Sequence, residues 1–185
     1  MSDATRALSE GVKDLGALAV YRPDFGKQGL RLSAFLPGEA LSRAAQFLRE
    51  KGFTLLDVST AEFQEGFLVT YHFDSFAEPC RLALRVLLED KAKPTVPSVY
   101  PIFQGAEWHE RESYDFFGVI FEGNPNLVPL LLPHDLPGPP PLRKKPDALA
   151  SFAALGLFGE AEWISPGWPY APAAAAPDAG EGAPQ

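Results

Sequence analysis

Residues Glu107–Gly118 read EWHERESYDFFG and place four acids, one arginine, one histidine and four aromatic residues in twelve positions. Ordinary cores lack this much charge, and ordinary solvated helix faces lack this many aromatic rings. On a helical wheel the aromatic side chains point in different directions, while Glu107, Arg111 and Asp115 follow one another by one turn and predict two ion pairs. Such a helix must be contacted on several sides. The residues alone leave three interpretations open: a surface that another protein covers, a helix packed within its own domain, or an active site.

The sequence before this stretch predicts a layer of strands covered by helices. The clearest helix is predicted at 37–52, where apolar residues recur at helical spacing and a glycine follows the last of them. Further elements are predicted as a helix at 2–15, strands at 17–22, 30–36, 53–63, 67–76 and 80–90, a turn at 23–29 and a short strand at 119–121. On the strand at 80–90, Leu82 and Leu84 share one face, and Arg81 and Arg85 share the other. This order predicts an α+β fold with a mixed, largely antiparallel sheet covered by helices.

The composition of the chain changes after Pro94, because prolines recur at short intervals from there on. The run NPNLVPLLLPHDLPGPPPLRKKP is predicted to be extended or polyproline II, with little internal hydrogen bonding. A segment of this kind becomes ordered only by lying on its own domain or on a partner. We therefore divide the chain into a core domain at 1–121, an extended Pro-rich docking segment at 122–170, and a low-complexity Ala/Pro tail at 171–185 that is predicted to be disordered.

Composition excludes several functional classes. The chain has 185 residues, of which 46% are hydrophobic, enough for one domain with a real core. Its formal net charge of −8 disfavours binding to nucleic acid or to an anionic membrane surface. The single cysteine, Cys80, forms no internal disulfide and falls short of the roughly four thiolates that an iron–sulfur cluster requires. The N-terminus lacks the apolar region of a signal peptide, and no apolar run approaches about 20 residues, so we expect no membrane segment.

Motifs of catalysis are weak. There is no dinucleotide fingerprint, phosphate loop or nucleophile elbow. The run HERES begins like a zinc motif, but Ser113 stands where the second histidine is needed. One alternative is a metal-dependent or acid/base enzyme built on His109, Glu112, His134 and Asp135. A second alternative is a soluble adaptor that uses the Pro-rich run GPPPLRKK as a ligand.

The stretch ERESYDFFGVIFEGNP, Glu110–Pro125, closely resembles the signature of the C-type (30 kDa-type) subunit of the proton-translocating NADH:quinone oxidoreductase, respiratory complex I. The residues that fit its first element are Glu110, Arg111, Glu112, Tyr114, Asp115, Phe116, Phe117, Gly118, Val119 and Phe121. Those that fit its second element are Pro141, Leu142, Arg143 and Lys144. The resemblance covers about residues 30–146. Asn124 departs from it, since the family usually has histidine there, Lys145 replaces an aspartate, and the basic pair that usually precedes the apolar run is missing.

This resemblance implies a non-catalytic structural subunit of the peripheral, hydrophilic arm, on the cytoplasmic side of the cell membrane and bound to the membrane only through the complex. The implied partners are other complex I subunits, above all the D-type subunit that holds the quinone site. FMN, iron–sulfur clusters and quinone are expected in partner subunits, and no cofactor is expected in this chain. The implied interface and signature residues are Glu110, Arg111, Glu112, Tyr114, Asp115, Phe117, Gly118, Phe121, Pro125, Arg143 and Lys144.

Overall fold

The computed structural model describes residues 3–77, 80–155 and 158–170. Its strands are β1 (Ala19–Arg22), β2 (Leu32–Phe35), β3 (Phe53–Glu62), β4 (Phe67–Ser75), β5 (Leu82–Leu88), β6 (Thr95–Pro97), β7 (Ile120–Glu122) and β8 (Glu160–Ile164). Its helices are α1 (Asp3–Asp14), α2 (Phe25–Gln28), α3 (Leu41–Glu50) and α4 (Ala106–Phe117). Short 3-10 turns lie at Gly38–Ala40, Pro146–Ala148 and Phe152–Leu155.

The main sheet has six strands in the order β3-β4-β5-β2-β1-β8, and β6 pairs with β7 in a small second sheet. In the main sheet only β2 and β5 run parallel, and the other four neighbouring pairs are antiparallel. The parallel pair arises because α3, β3 and β4 form a long crossover between β2 and β5. The predicted α+β fold with a mixed, largely antiparallel sheet and covering helices is confirmed.

The two faces of the main sheet are covered by different parts of the chain. Side chains alternate along β2, so Leu32 and Ala34 join the larger core, whereas Phe35 joins a smaller aromatic cluster on the opposite face. Apolar residues of α1, α3 and α4 complete the larger core. We call the opposite side of the sheet the second face. It is covered by side chains from the later part of the chain, namely Phe152, Phe158, Ile164, Trp168 and Tyr170.

Local sequence signals located α3 well. The predicted helix at 37–52 begins with the 3-10 turn and continues as α3, which buries Leu41, Ala44, Ala45 and Leu48. The predicted turn at 23–29 contains the single helical turn α2, because the Asp24 carboxylate accepts the N–H of Gly26 at 3.0 Å.

Strand β8 was not predicted. It pairs antiparallel with β1 at the sheet edge, and Arg22 forms an ion pair with Glu162 at 2.6 Å across the two strands. Residues 152–155 and 158–170 therefore belong to the folded layer, although their sequence pattern predicts a continuation of the Pro-rich segment. The predicted disorder of 171–185 falls outside the described residues. No helix within the described ranges has the length and apolar character that a membrane crossing requires.

Candidate functional site

Helix α4 buries its polar side chains and leaves an indole in solvent. Glu110 is fully buried, and Ser113 and Asp115 are less than a tenth exposed. Trp108, on the same helix, is 64% exposed. The usual distribution of polar and apolar groups is therefore reversed on this helix. Each buried polar group must have partners, and those partners define the site.

Glu110 organises the loops on either side of α4. One carboxylate oxygen accepts the N–H of Val99 at 2.8 Å, and the other accepts the Ser98 hydroxyl at 2.7 Å and the Asn124 amide at 2.8 Å. Burial raises the pKa of Glu110, and these hydrogen bonds offset part of the rise. Glu110 therefore joins the loop after β6 to the loop after β7.

Asn124 occupies the position where the resemblance leads one to expect histidine. Its amide nitrogen donates to Glu110, and its side-chain oxygen accepts the N–H of Asn126 at 2.9 Å. Asparagine thus supplies both a donor to the carboxylate and an acceptor for the following turn. Unlike histidine, it does so without a titratable group at this position.

Glu110→Gln is expected to destabilise the chain by about 1–2 kcal/mol at pH 7, because one amide oxygen replaces two carboxylate oxygens that accept three donors. The folded-state pKa of Glu110 is raised above the ordinary 4.5, so folding favours its protonated form. Its contribution to stability therefore grows as pH falls through the raised pKa toward 4.5 and is lost above it. Urea unfolding should show a larger gap between wild type and Gln variant at pH 5 than at pH 7. A gap that shrinks on acidification would contradict this account.

Arg111 and Asp115 hold the Pro-rich segment by its backbone. Arg111 donates to the carbonyl oxygens of Val128 and Pro129, both at 3.0 Å. Asp115 accepts three successive backbone N–H groups, those of 130, 131 and 132, at 2.8, 2.7 and 3.2 Å. The predicted pair of Arg111 with Glu107 is present at 3.8 Å. The predicted ion pair between Arg111 and Asp115, two described residues, is absent, because each side chain binds the segment instead.

Gly118 ends α4 in the left-handed conformation, with φ of 78°, and its N–H donates to the carbonyl of Tyr114 at 2.9 Å. Glycine adopts this conformation readily because it has no Cβ. A Cβ at this position would lie 3.1 Å from Cγ of Pro140. The segment therefore passes close over the end of the helix. The Leu142 N–H donates to the carbonyl of Phe116 at 3.1 Å and continues this contact.

Glu62, at the end of β3, anchors the far end of the Pro-rich segment. Its buried carboxylate accepts the backbone N–H of Lys144 at 2.8 Å. It also lies 3.3 Å from Nζ of Lys91 and 3.9 Å from Nη2 of Arg143. Arg143 packs over the Phe67 ring at 5.1 Å and donates to the Lys91 carbonyl at 3.1 Å. Glu62 was not predicted as a site residue, because its partners lie 29 or more positions away.

The remaining signature residues divide by exposure. Phe121 is buried in the core, and Phe117 packs partly buried against Phe67. Tyr114 is half-buried, whereas Glu112, Pro125 and Lys144 are exposed. Most signature residues therefore make contacts inside this chain, and these contacts fix the conformation of the surface around α4.

The exposed apolar residues are concentrated around α4. Eight large hydrophobic side chains are exposed among the described residues, and five of them lie on α4 or on the Pro-rich segment. We define the docking surface by these five: Trp108, Val128, Leu131, Leu136 and Leu142. A groove of about 210 Å³ between the end of α4 and the segment, lined by Tyr114 and Leu132 among others, borders Leu136. Exposed apolar groups concentrated in this way are typical of protein interfaces.

The proposed metal ligands are not brought together. Nδ1 of His109 lies 3.3 Å from Asp57, which also approaches His72 at 3.8 Å. His134 and Asp135 are exposed on the Pro-rich segment. Throughout 3–77, 80–155 and 158–170, no three His, Cys, Asp or Glu side chains are placed to hold a metal ion.

Comparison with known proteins places the site in one family. The family model described as respiratory-chain NADH dehydrogenase, 30 Kd subunit, matches residues 35–150. The C-type subunit of NADH-quinone oxidoreductase from Roseiflexus sp. (strain RS-1) is 39% identical over 120 residues, which are 61% of this chain and 68% of that protein. The C-type subunit from Nocardioides sp. (strain ATCC BAA-499 / JS614) is 43% identical over 76 residues, 41% of this chain and 30% of that protein. The chain thus spans from under a third to about two thirds of these curated relatives.

Among solved structures, the trypsin-resistant fragment of Nqo5 matches with a TM-score of 0.56 and 27% identity. The match covers 67% of this chain and 98% of the fragment. The sequence match at 35–150 includes α4, Glu62, the Pro-rich segment up to residue 150 and the whole docking surface.

Proposed function

The chain belongs to the family of the 30 kDa subunit of respiratory-chain NADH dehydrogenase, and from this we propose that it is a non-catalytic structural subunit of the peripheral arm of an NADH:quinone oxidoreductase. The holoenzyme would pass electrons from NADH through FMN and iron–sulfur clusters to quinone and couple this to proton translocation. In this proposal the chain acts by presenting a docking surface to neighbouring subunits.

The observation that carries the proposal is the reversed burial on α4. A helix that buries Glu110 and Asp115, each bound to three donors, uses its polar groups to fix loops, not to react with a substrate. The same helix leaves Trp108 in solvent. Tryptophan is enriched among the residues that dominate binding energy at protein interfaces. A rigid, internally satisfied helix with an exposed indole is suited to docking.

The Pro-rich segment supports the same proposal. Its backbone is held by Arg111, Asp115 and Glu62, so its exposed leucines are presented in a fixed conformation. A surface fixed before binding has less conformational entropy to lose on association. We propose that residues 122–149 dock on the quinone-site (D-type) subunit, with the complex attached peripherally to the cytoplasmic side of the cell membrane. Arg143 acts mainly as an internal anchor, and the exposed Lys144 side chain is available to acidic groups of the partner.

We further propose that the redox cofactors lie in partner subunits. The single cysteine supplies far fewer thiolates than an iron–sulfur cluster needs. The metal-enzyme alternative is not favoured, since His109 is paired with Asp57 and His134 lies apart on the Pro-rich segment. The adaptor alternative is also not favoured, because the backbone of the Pro-rich run lies on its own domain.

A tagged chain recovered from mildly solubilised membranes should co-purify with flavin- and cluster-containing subunits, identified by mass spectrometry. Trp108→Ala should reduce the recovered partner at least about tenfold, the loss expected for an interface anchor worth about 1.4 kcal/mol or more. Because Trp108 is 64% exposed, the free energy of unfolding should change by less than about 0.5 kcal/mol.

Phe25→Ala is the matched control. Phe25 is another exposed aromatic residue, 48% accessible. It lies in the connection between β1 and β2, which are separated in the strand order from β3, the strand that α4 contacts, by β4 and β5. Its loss should leave recovery unchanged. Recovery of the wild-type chain alone from the soluble fraction would refute the assembly role. If Trp108→Ala and Phe25→Ala reduced the recovery of partner subunits equally, the assignment of the docking surface to the region around α4 would be refuted.

A further inference from the structure

The Asp115 carboxylate uses only one of its two oxygens for contacts within the described part of the chain. The backbone N–H groups of 130, 131 and 132 all donate to Oδ2, at 2.8, 2.7 and 3.2 Å. Oδ1 accepts no hydrogen bond from any residue that the structure describes. A carboxylate has about four lone-pair sites, so this one can still bind a further donor.

Oδ1 is open to a ligand, although Asp115 as a whole is only 7% exposed. Among the described residues, the enclosed side-chain atoms without a hydrogen-bond partner are the hydroxyls of Tyr21 and Tyr71, Nε of Arg85 and Nε1 of Trp168. Oδ1 also lacks a partner but is not one of these enclosed atoms, so it is in contact with solvent. The opening that leads to it is the groove of about 210 Å³ at the end of α4, which Asp115 lines.

The groove combines this single carboxylate with apolar walls. Leucines, prolines and Tyr114 form most of its lining, and none of its lining residues is a lysine or an arginine. Arg111, one turn before Asp115, donates to two backbone carbonyls, lies 3.8 Å from Glu107 and does not line the groove. The groove therefore has a negative charge at its base and no cation from its own lining to neutralise it.

The size and chemistry of the groove fit one basic side chain. Pockets for small-molecule ligands usually enclose about 300–1,000 Å³, more than this groove offers. Lysine and arginine lay their methylene stems along apolar surface and keep the charged end for a polar partner. Here the stem would pack against the prolines and Leu136, and the half-buried Tyr114 ring favours a cation beside it.

We propose that this groove receives a lysine or arginine side chain of a neighbouring subunit, whose cationic end donates to Oδ1 of Asp115. The inference rests on the proposed function, because it assigns the partner chemistry of the same docking surface, to which Leu136 belongs. The formal net charge of −8 suits a basic partner surface. A charge pair within apolar walls fixes the register of docking, since a partner that places an acidic group there is repelled.

The test measures how much partner subunit a tagged full-length chain recovers from mildly solubilised membranes. Asp115→Asn keeps one oxygen for the N–H groups of 130–132 and replaces the other by an amide N–H group, so a cation loses its acceptor. Glu112→Gln is the control, because it removes the same charge from an exposed position on the same helix. His134→Lys adds a competing cation at the exposed rim of the groove, and His134→Gln is its neutral control.

Asp115→Asn and His134→Lys should each reduce the recovered partner at least about tenfold, whereas both controls should stay within about twofold of the wild type. Combining Asp115→Asn with His134→Lys should cause no further loss, because both changes remove the same contact. The amides of 130–132 should stay protected from hydrogen exchange in Asp115→Asn, which shows that the segment is still held. If they lose protection, the comparison of His134→Lys with His134→Gln decides.

Two results would overturn the proposal. One is a recovery with Asp115→Asn that equals the recovery with Glu112→Gln, and the other is an equal recovery with the two His134 variants. Both results leave the assembly role intact, because the wild-type chain still recovers its partners. A wild-type chain recovered alone would instead refute the assembly role, and the proposed occupant of the groove would be refuted with it.

Discussion

Gly118→Val is expected to destabilise the chain by about 2–5 kcal/mol and to reduce strongly its assembly with partner subunits. The left-handed conformation, with φ of 78°, costs a residue with a Cβ roughly 1–2 kcal/mol. The new side chain would also press on Pro140, since even a Cβ lies 3.1 Å from its Cγ, and overpacking of this kind costs about 1–3 kcal/mol. Urea unfolding of the chain, and immunoblots of the intact complex, would measure the two effects.

Two glycine controls separate the causes. Gly123→Val has the same backbone strain, with φ of 90°, but a Cβ there meets nothing within 4 Å. Gly105→Val, just before α4, has neither the strain, with φ of −59°, nor the contact. The loss of unfolding free energy should be largest for the Gly118 variant, smaller for the Gly123 variant and smallest for the Gly105 variant. Turnover per assembled complex should stay normal in all three. Normal assembly of the Gly118 variant with lost electron transfer would contradict the structural role.

Asp115→Ala is expected to release the Pro-rich segment from α4. The carboxylate accepts three backbone N–H groups in succession, and a negative charge in the last turn of a helix is otherwise unfavourable. Removing it should cost about 2–3 kcal/mol, given that hydrogen bonds to charged groups are the stronger ones. The amides of Leu130, Leu131 and Leu132 should then exchange with solvent deuterons about 30- to 150-fold faster.

Glu112→Ala is the control for this variant, because Glu112 lies on the same helix and is exposed. It should leave the three amides protected. Asp115→Ala should in addition lose partner recovery, because Leu131, one of the three residues whose backbone it holds, belongs to the docking surface. Protection that survives in Asp115→Ala would show that the segment is held by other contacts, such as those of Glu62.

Local patterns were sufficient to predict α3 and the alternation of β5. Each depends on residues within a few positions, such as the spacing of Leu41 and Leu48 or the shared face of Leu82 and Leu84. The resemblance of Glu110–Pro125 to a known signature also survived, since the family model matches the same region. The structure gives these residues physical roles: Glu110 accepts hydrogen bonds from three donors, and Asp115 accepts them from three backbone amides.

Other features could not be predicted, because they depend on distant partners. The helical wheel showed aromatic rings in every direction but not that Glu110 and Asp115 would turn inward. Their partners come from loops that only the folded chain brings close. Strand β8 is short and charged at its start, and it becomes a strand because β1 offers it an edge 140 residues upstream. Pairings over such separations leave no periodic trace in the sequence.

The edge position of β8 also dictates the order in which the molecule can be completed during synthesis. Tyr21 and Phe35 leave the ribosome early, but the rings that cover them, Phe152 and Trp168, follow more than a hundred residues later. At a synthesis rate of about 5–20 residues per second, the aromatic rings of the second face stay uncovered for roughly 6–27 seconds. During that time β1 is an open edge next to bare aromatic rings, a combination that invites mispairing.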